Sequence, residues 1–99
     1  MLTQKQKKQL KALASVEKTR YQLGKKELTN AALDMFDKAL TARELIKIDV
    51  MRGAEDTPIM ELALDLSARL HAEIVQVVGK VIVLYRRNKD NPKIKLEKQ

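Results

Sequence analysis

The spacing of apolar and polar positions along the chain predicts seven elements. Thr3 followed three residues later by Gln6 matches the capping box that opens a helix, and Leu10, Leu13 and Ala14 then recur at helical spacing. At about 100° per residue, Lys5, Lys7, Lys8 and Lys11 spread over the opposite side of that helix. Residues 20–23, Arg-Tyr-Gln-Leu, read as a short strand that ends at Gly24. Thr29 supplies the N-cap of a second helix. Leu28 and Leu33 are spaced as its hydrophobic staple, and Leu33, Phe36 and Leu40 form its buried stripe.

Residues 44–51, ELIKIDVM, alternate cleanly, with Ile46, Ile48 and Val50 on one face and Lys47 and Asp49 on the other, the pattern of a half-buried strand. A loop leads to Thr57 as N-cap and Pro58 at the first helical position of a third helix. That helix carries Ile59, Leu62, Ala63, Leu66 and Leu70 and runs to about His71. In EIVQVVGKVIVLYR, two runs rich in Val and Ile flank Gly79-Lys80, a two-residue hairpin turn. The second of these strands is apolar on both faces, which predicts a central place in the sheet.

The order is therefore α-β-α-β-α-β-β. Strands joined through helices run parallel by right-handed crossovers, and the closing hairpin adds one antiparallel strand. The polar face of ELIKIDVM predicts helices on one side of the sheet only. The expected fold class is a two-layer α/β sandwich on a four-stranded mixed sheet. The domain is expected to cover residues 1–87, with the lysine-rich residues 88–99 as a mobile tail.

Composition adds limits. At 99 residues the chain makes one domain, and with three aromatics its core is aliphatic. There is no cysteine, so disulfides and thiolate metal sites are excluded. No apolar stretch follows the first lysines as in a signal peptide, and the longest apolar run, Val81–Tyr85, is too short to cross a bilayer. A cytoplasmic protein with no membrane partner is the expectation.

Charge changes the picture more. Residues 1–26 hold eight Lys/Arg against one acid, residues 27–73 hold five against ten, and residues 74–99 hold seven against two. Basic ends thus flank an acidic middle within a net charge of +7. If both ends lie on one side of the fold, they form a face suited to a polyanion.

Candidate catalytic chemistry is sparse. His71 is the only histidine and falls at a helix end, where the dipole favours it. Ser15 and Ser67 have no histidine at a suggestive spacing, and Glu55, Asp56, Glu61 and Asp65 fit flanking positions of a helix N-terminus better than a metal site. No P-loop pattern occurs. Neither an enzymatic activity nor a cofactor nor a small-molecule substrate is expected, and nothing demands more than a monomer. The loop LGKKELT offers Gly24 for close approach of a ligand, Lys25 and Lys26 as cations, and the amides that open the next helix.

Four blocks in order, LTQKQKKQLKALA, YQLGKKELT, LTARELIKIDV and AEIVQVVGKVIVLYR, resemble the CRM domain in its single-domain bacterial form, the YhbY family. The resemblance covers roughly residues 1–87. It implies a fold like the C-terminal domain of translation initiation factor three. It also implies a non-catalytic RNA-binding protein associated with ribosomal RNA in precursors of the large ribosomal subunit. The family's loop reads Gly-Lys-Gly-Gly, similar to the backbone clamp of KH domains. Gly24 and Lys25 match it, while Lys26 and Glu27 stand where the following glycines would be.

The expected RNA contacts are Gly24 and Lys25 from that motif, and Lys26, Lys5, Lys7, Lys8, Lys11 and Arg86 from charge and placement. With Tyr21 and Tyr85 as the only candidates for stacking, recognition through backbone and shape is expected. The altered loop and acidic middle leave a second reading, a protein–protein adaptor on the same fold. A binder of DNA or membrane surfaces through net charge alone ranks third.

Overall fold

The computed structural model describes residues 2–18, 20–23, 29–50 and 58–96. Its elements follow the predicted order: α1 (Gln4–Val16), β1 (Tyr21–Leu23), α2 (Asn30–Arg43), β2 (Leu45–Val50), α3 (Ile59–Leu70), β3 (Glu73–Val78) and β4 (Val81–Tyr85).

Local chemistry sets most of the helix ends. The Thr3 hydroxyl accepts from the Gln6 amide at 3.1 Å and the Gln6 side chain accepts from the Thr3 amide at 3.0 Å, so the capping box closes reciprocally. Thr29 caps α2 by accepting from the Ala32 amide at 3.1 Å. Leu33 packs against the core as expected, while Leu28 lies outside the described residues. Pro58 occupies the cap of α3 rather than its first turn, because its ψ of 135° is extended; Thr57 lies outside the described residues. His71 ends α3 in the left-handed conformation at φ 53°, with its amide bonded to the Ser67 carbonyl.

The sheet order is β1-β2-β4-β3. β1 and β2 pair in parallel, whereas β4 is antiparallel to both β2 and β3. The apolar β4 is therefore central, as its two-sided pattern predicts. Gly79 turns the hairpin at φ 57°, and a Cβ there would meet nothing within 4 Å, so the requirement for glycine is conformational and not spatial. A bulge between Ile74 and Gln76 lets Ile74 and Val77 face one core while Val75 faces the other.

There are two cores, one on each face of the sheet. On the first, Ile46, Ile48, Ile82 and Leu84 meet Phe36 and Leu40 of α2 and Ala63, Leu66 and Leu70 of α3. On the second, Leu45, Val75, Val83 and Tyr85 meet Leu2, Leu10 and Ala14. This corrects the expectation that helices lie on one side: α1 covers the face that Lys47 was thought to leave to solvent. Lys47 is only 7% exposed, because its aliphatic stem lies under α1 while its ammonium donates to the Ala14 carbonyl at 2.8 Å. A polar letter in an alternating strand had concealed a buried stem. Leu13, expected in the buried stripe of α1, is 38% exposed; Leu10 and Ala14 carry the contact.

The segment beyond Arg87 is not a detached tail. Residues 88–96 have no regular secondary structure, yet Ile94 and Leu96 pack on the second core beside α1. We refer to residues 92–96 as the strap.

Candidate nucleic-acid interface

The strap is held by one carboxylate. Glu44 follows α2 at φ 65° and is fully buried. Its Oε1 accepts from the amides of Lys93 and Ile94, each at 2.6 Å, and its Oε2 accepts from the Asn88 amide at 2.7 Å. Three charge-assisted bonds of this kind offset the cost of burying an anion. Asn88 shapes the intervening turn: its Oδ1 accepts from the Asp90 and Asn91 amides and its Nδ2 donates to the Thr41 carbonyl. The Gln9 side-chain amide then donates to the Lys95 carbonyl at 2.7 Å, which fastens the strap along α1.

Pinned in this way, the strap alternates. Ile94 and Leu96 turn inward, and Lys93 and Lys95 remain exposed. Lys5, Lys8 and Lys11 are exposed on α1, and Lys7 is half-buried. At about 100° per residue, Lys5 shares the flank of Gln9 and hence of the strap, Lys7 and Lys11 fall on the other flank, and Lys8 lies between the two. No ion pair among the described residues involves these four lysines. The lysines of α1 and of the strap therefore lie on one face of the sheet. The opposite face carries Asp34, Asp37 and Asp65, which pair with Lys38, Arg86 and Arg69 at 2.8–3.1 Å.

Arg86 does not join the basic face. Its guanidinium donates to the Asp37 carboxylate and the Leu70 carbonyl at 2.8 Å, and to the Asp37 carbonyl and Thr41 hydroxyl at 2.9 Å. It ties α2, α3 and β4 together on the first core's side, with its charge near the C-terminal end of α3. Gly24, Lys25 and Lys26 lie outside the described residues. Arg43 pairs with Glu17 at 3.7 Å.

Tyr21 is half-buried and stands edge-on to Phe36, with centroids 6.5 Å apart. Tyr85 is 4% exposed. Burial pushes its phenol above the ordinary tyrosine value, as does the nearby Glu44 carboxylate; Arg87 works in the opposite direction. No three His, Cys, Asp or Glu side chains converge as a metal site among the described residues, and His71 is a helix cap. No helix of the described residues is long and apolar enough to cross a membrane.

Neither motif nor charge spacing in the sequence singles out Arg87, Lys93 and Lys95. A signal was present: PKIKL alternates lysine with apolar residues, the mark of an extended segment with one face buried. Its short length and polar neighbours made it resemble a tail.

The family model of the CRS1/YhbY (CRM) domain matches residues 2–86. "Probable RNA-binding protein YqeI" of Bacillus subtilis is 35% identical over 96 residues, covering 97% of this chain and 99% of its own. "Probable RNA-binding protein PA4753" of Pseudomonas aeruginosa is 33% identical over 87 residues, covering 88% and 83%. The solution structure of the hypothetical protein SAV1595 of Staphylococcus aureus, a candidate RNA binder, superposes with a TM-score of 0.80 at 40% identity over 98% of this chain and 100% of that one.

Proposed function

The chain belongs to the CRS1/YhbY (CRM) domain family, and from that premise we propose that it is a non-catalytic, cytoplasmic, monomeric RNA-binding protein that engages ribosomal RNA in precursors of the large ribosomal subunit. The observation that supports this reading is the gathering of the α1 lysines with Lys93 and Lys95 of the strap on one face, with Asp34, Asp37 and Asp65 on the other. Such a face attracts a phosphate backbone and releases its counterions on binding. The names of the relatives support RNA as the partner. The loop of Gly24, Lys25 and Lys26 belongs to the proposal as a second source of phosphate contacts.

The test is binding to ribosomal RNA as a function of salt, together with sedimentation of the tagged protein in lysate gradients. With about four to six phosphates neutralised, the log–log slope is expected near −3 to −4 by the single-strand coefficient. Sedimentation with large-subunit precursors, lost at high salt, is the expected companion result. A salt-independent interaction, or none with ribosomal RNA, overturns the reading.

One observation favours a second reading, a protein adaptor. Met35, Met60 and Leu64 on α2 and α3 are 42%, 51% and 57% exposed on helices that also carry Asp34, Glu61 and Asp65. Loss of ribosome association on Asp34→Ala, with Lys25→Ala/Lys26→Ala harmless, would establish it.

A further inference from the structure

Between α1 and the strap lies a cleft of about 540 Å³ lined by Gln6, Tyr85, Arg87, Pro92, Lys93, Ile94, Lys95 and Leu96. Its size falls within the roughly 300–1,000 Å³ typical of small-molecule sites. We propose that this cleft is an RNA subsite that receives one unpaired nucleotide, with Arg87, Lys93 and Lys95 around the phosphate and Pro92, Ile94 and Leu96 against the base. The inference rests on the RNA-binding reading above and adds to it a place and a kind of RNA.

Three features support this occupant. The rim is cationic: Arg87, Lys93 and Lys95 are exposed, and the nearby Glu44 carboxylate is already committed to three strap amides. The floor is apolar, formed by Pro92, Ile94 and Leu96, of which Ile94 and Leu96 also pack against the second core. A nucleotide has the same division, an anionic phosphate beside a flat base. A duplex keeps its bases stacked inside and offers no base to such a floor, so the cleft selects unpaired RNA. The cleft also continues into a second basic surface, because Gln9, bonded to the strap at Lys95, lines a shallow depression with Lys5, Lys8, Ala12 and Leu13. An RNA strand leaving the cleft across Gln9 meets Lys5 and Lys8 next.

The strap's position is fixed before any ligand arrives. Glu44 and Gln9 hold the backbone of residues 93–95, so Lys93 and Lys95 are presented by an ordered chain and little ordering cost remains for binding.

The experiment titrates the full-length protein with a fluorescent single-stranded RNA and with a fully paired duplex of equal length, at several salt concentrations. Wild type is compared with Arg87→Ala/Lys93→Ala/Lys95→Ala and with Lys38→Ala/Arg69→Ala, which removes like charge from the opposite face. On single-stranded RNA, the strap variant is expected to lose about two units of log–log slope, roughly a hundredfold in affinity at 0.1 M salt. The Lys38/Arg69 variant is expected to retain wild-type slope, and the duplex to respond weakly to either. Photocrosslinking with 4-thiouridine is expected to label residues 88–96 in wild type.

Each other outcome is decisive. If wild type binds single-stranded RNA and the strap variant keeps its slope, the subsite is overturned while the RNA-binding reading stands. Equal losses in both variants reduce the effect to bulk charge and overturn the subsite as well. Equal losses on duplex and single strand show that no base enters the cleft. Failure of wild type to bind any RNA overturns the functional reading itself. Circular dichroism establishes that the variants are folded, and the crosslink reads the cleft in unmodified protein.

Discussion

Arg86 and Asp37 are 49 residues apart in the chain, yet the Arg86 guanidinium reaches both the carboxylate and the backbone carbonyl of Asp37, at 2.8 and 2.9 Å. The same group holds Thr41 and the Leu70 carbonyl. The Asp37 side chain is 55% exposed, so the ion pair itself contributes little; the bonds to the two carbonyls and the hydroxyl, made by one pre-organised fork, matter more. Arg86→Lys cannot reproduce that fork. It is expected to cost about 2 kcal/mol, a fall in Tm of roughly 8–16 °C, read by thermal denaturation. RNA affinity at a temperature where the variant is folded is expected to be unchanged. The reverse pattern, full stability with weakened RNA binding, would return Arg86 to the list of phosphate contacts.

Glu44→Ala removes the acceptor for three amides. It is expected to destabilise the fold by about 2–3 kcal/mol and to free the strap. Hydrogen exchange separates these effects: the Lys93 and Ile94 amides are expected to lose protection, while amides of β4 exchange only at the globally unfolding rate. Protection of Lys93 and Ile94 equal to wild type would show that the carboxylate does not hold the strap.

Tyr85 makes stability fall at alkaline pH. Its folded-state pKa is raised, so the unfolded chain releases this proton first. The stabilisation is fully present below about pH 10, the ordinary tyrosine value, and is lost as pH rises through the higher folded value. Denaturant titrations from pH 8 to 11 are expected to show a decline above about pH 10 that is smaller in Tyr85→Phe. An identical decline in the two proteins would remove Tyr85 as its source.

Lys47 separates stem from charge. Lys47→Ala exposes the space under α1 and is expected to cost about 3 kcal/mol, from roughly three lost methylenes and one hydrogen bond. Lys47→Met keeps an apolar stem and is expected to cost about 1 kcal/mol. If both were neutral in chemical denaturation, α1 would not pack over this strand.

The elements themselves were legible because local chemistry and packing agree. Thr3 with Gln6, Thr29, and Gly79 act within three residues of themselves, and the Val- and Ile-rich runs of β3 and β4 admit one period. Which face α1 covers was not legible, because Lys47 is polar in the sequence and buried by its stem. Neither was the strap, whose order depends on Glu44, a residue 49 positions before Lys93. For the candidate site, the exposed placement of Lys5, Lys8 and Lys11 on α1 was legible from their spacing. Arg86 was misplaced because charge alone does not tell a phosphate contact from an arginine that ties one helix to the end of another. Arg87, Lys93 and Lys95 were missed because they become a surface only when Ile94 and Leu96 are docked.

The position of β4 has a consequence for how the chain is made. The strand at the middle of the sheet follows every other strand in sequence, so a growing chain that has delivered β1, β2 and β3 still has a gap where β2 and β3 should be joined. Neither core closes during that interval, because Ile82 and Leu84 serve one and Val83 and Tyr85 the other. The nascent protein thus keeps two unfilled strand edges until β4 leaves the ribosome and joins them, and the second core closes only when Ile94 and Leu96 follow. Any delay between the emergence of β3 and that of β4 would lengthen the time those edges stay open to pairing with other chains.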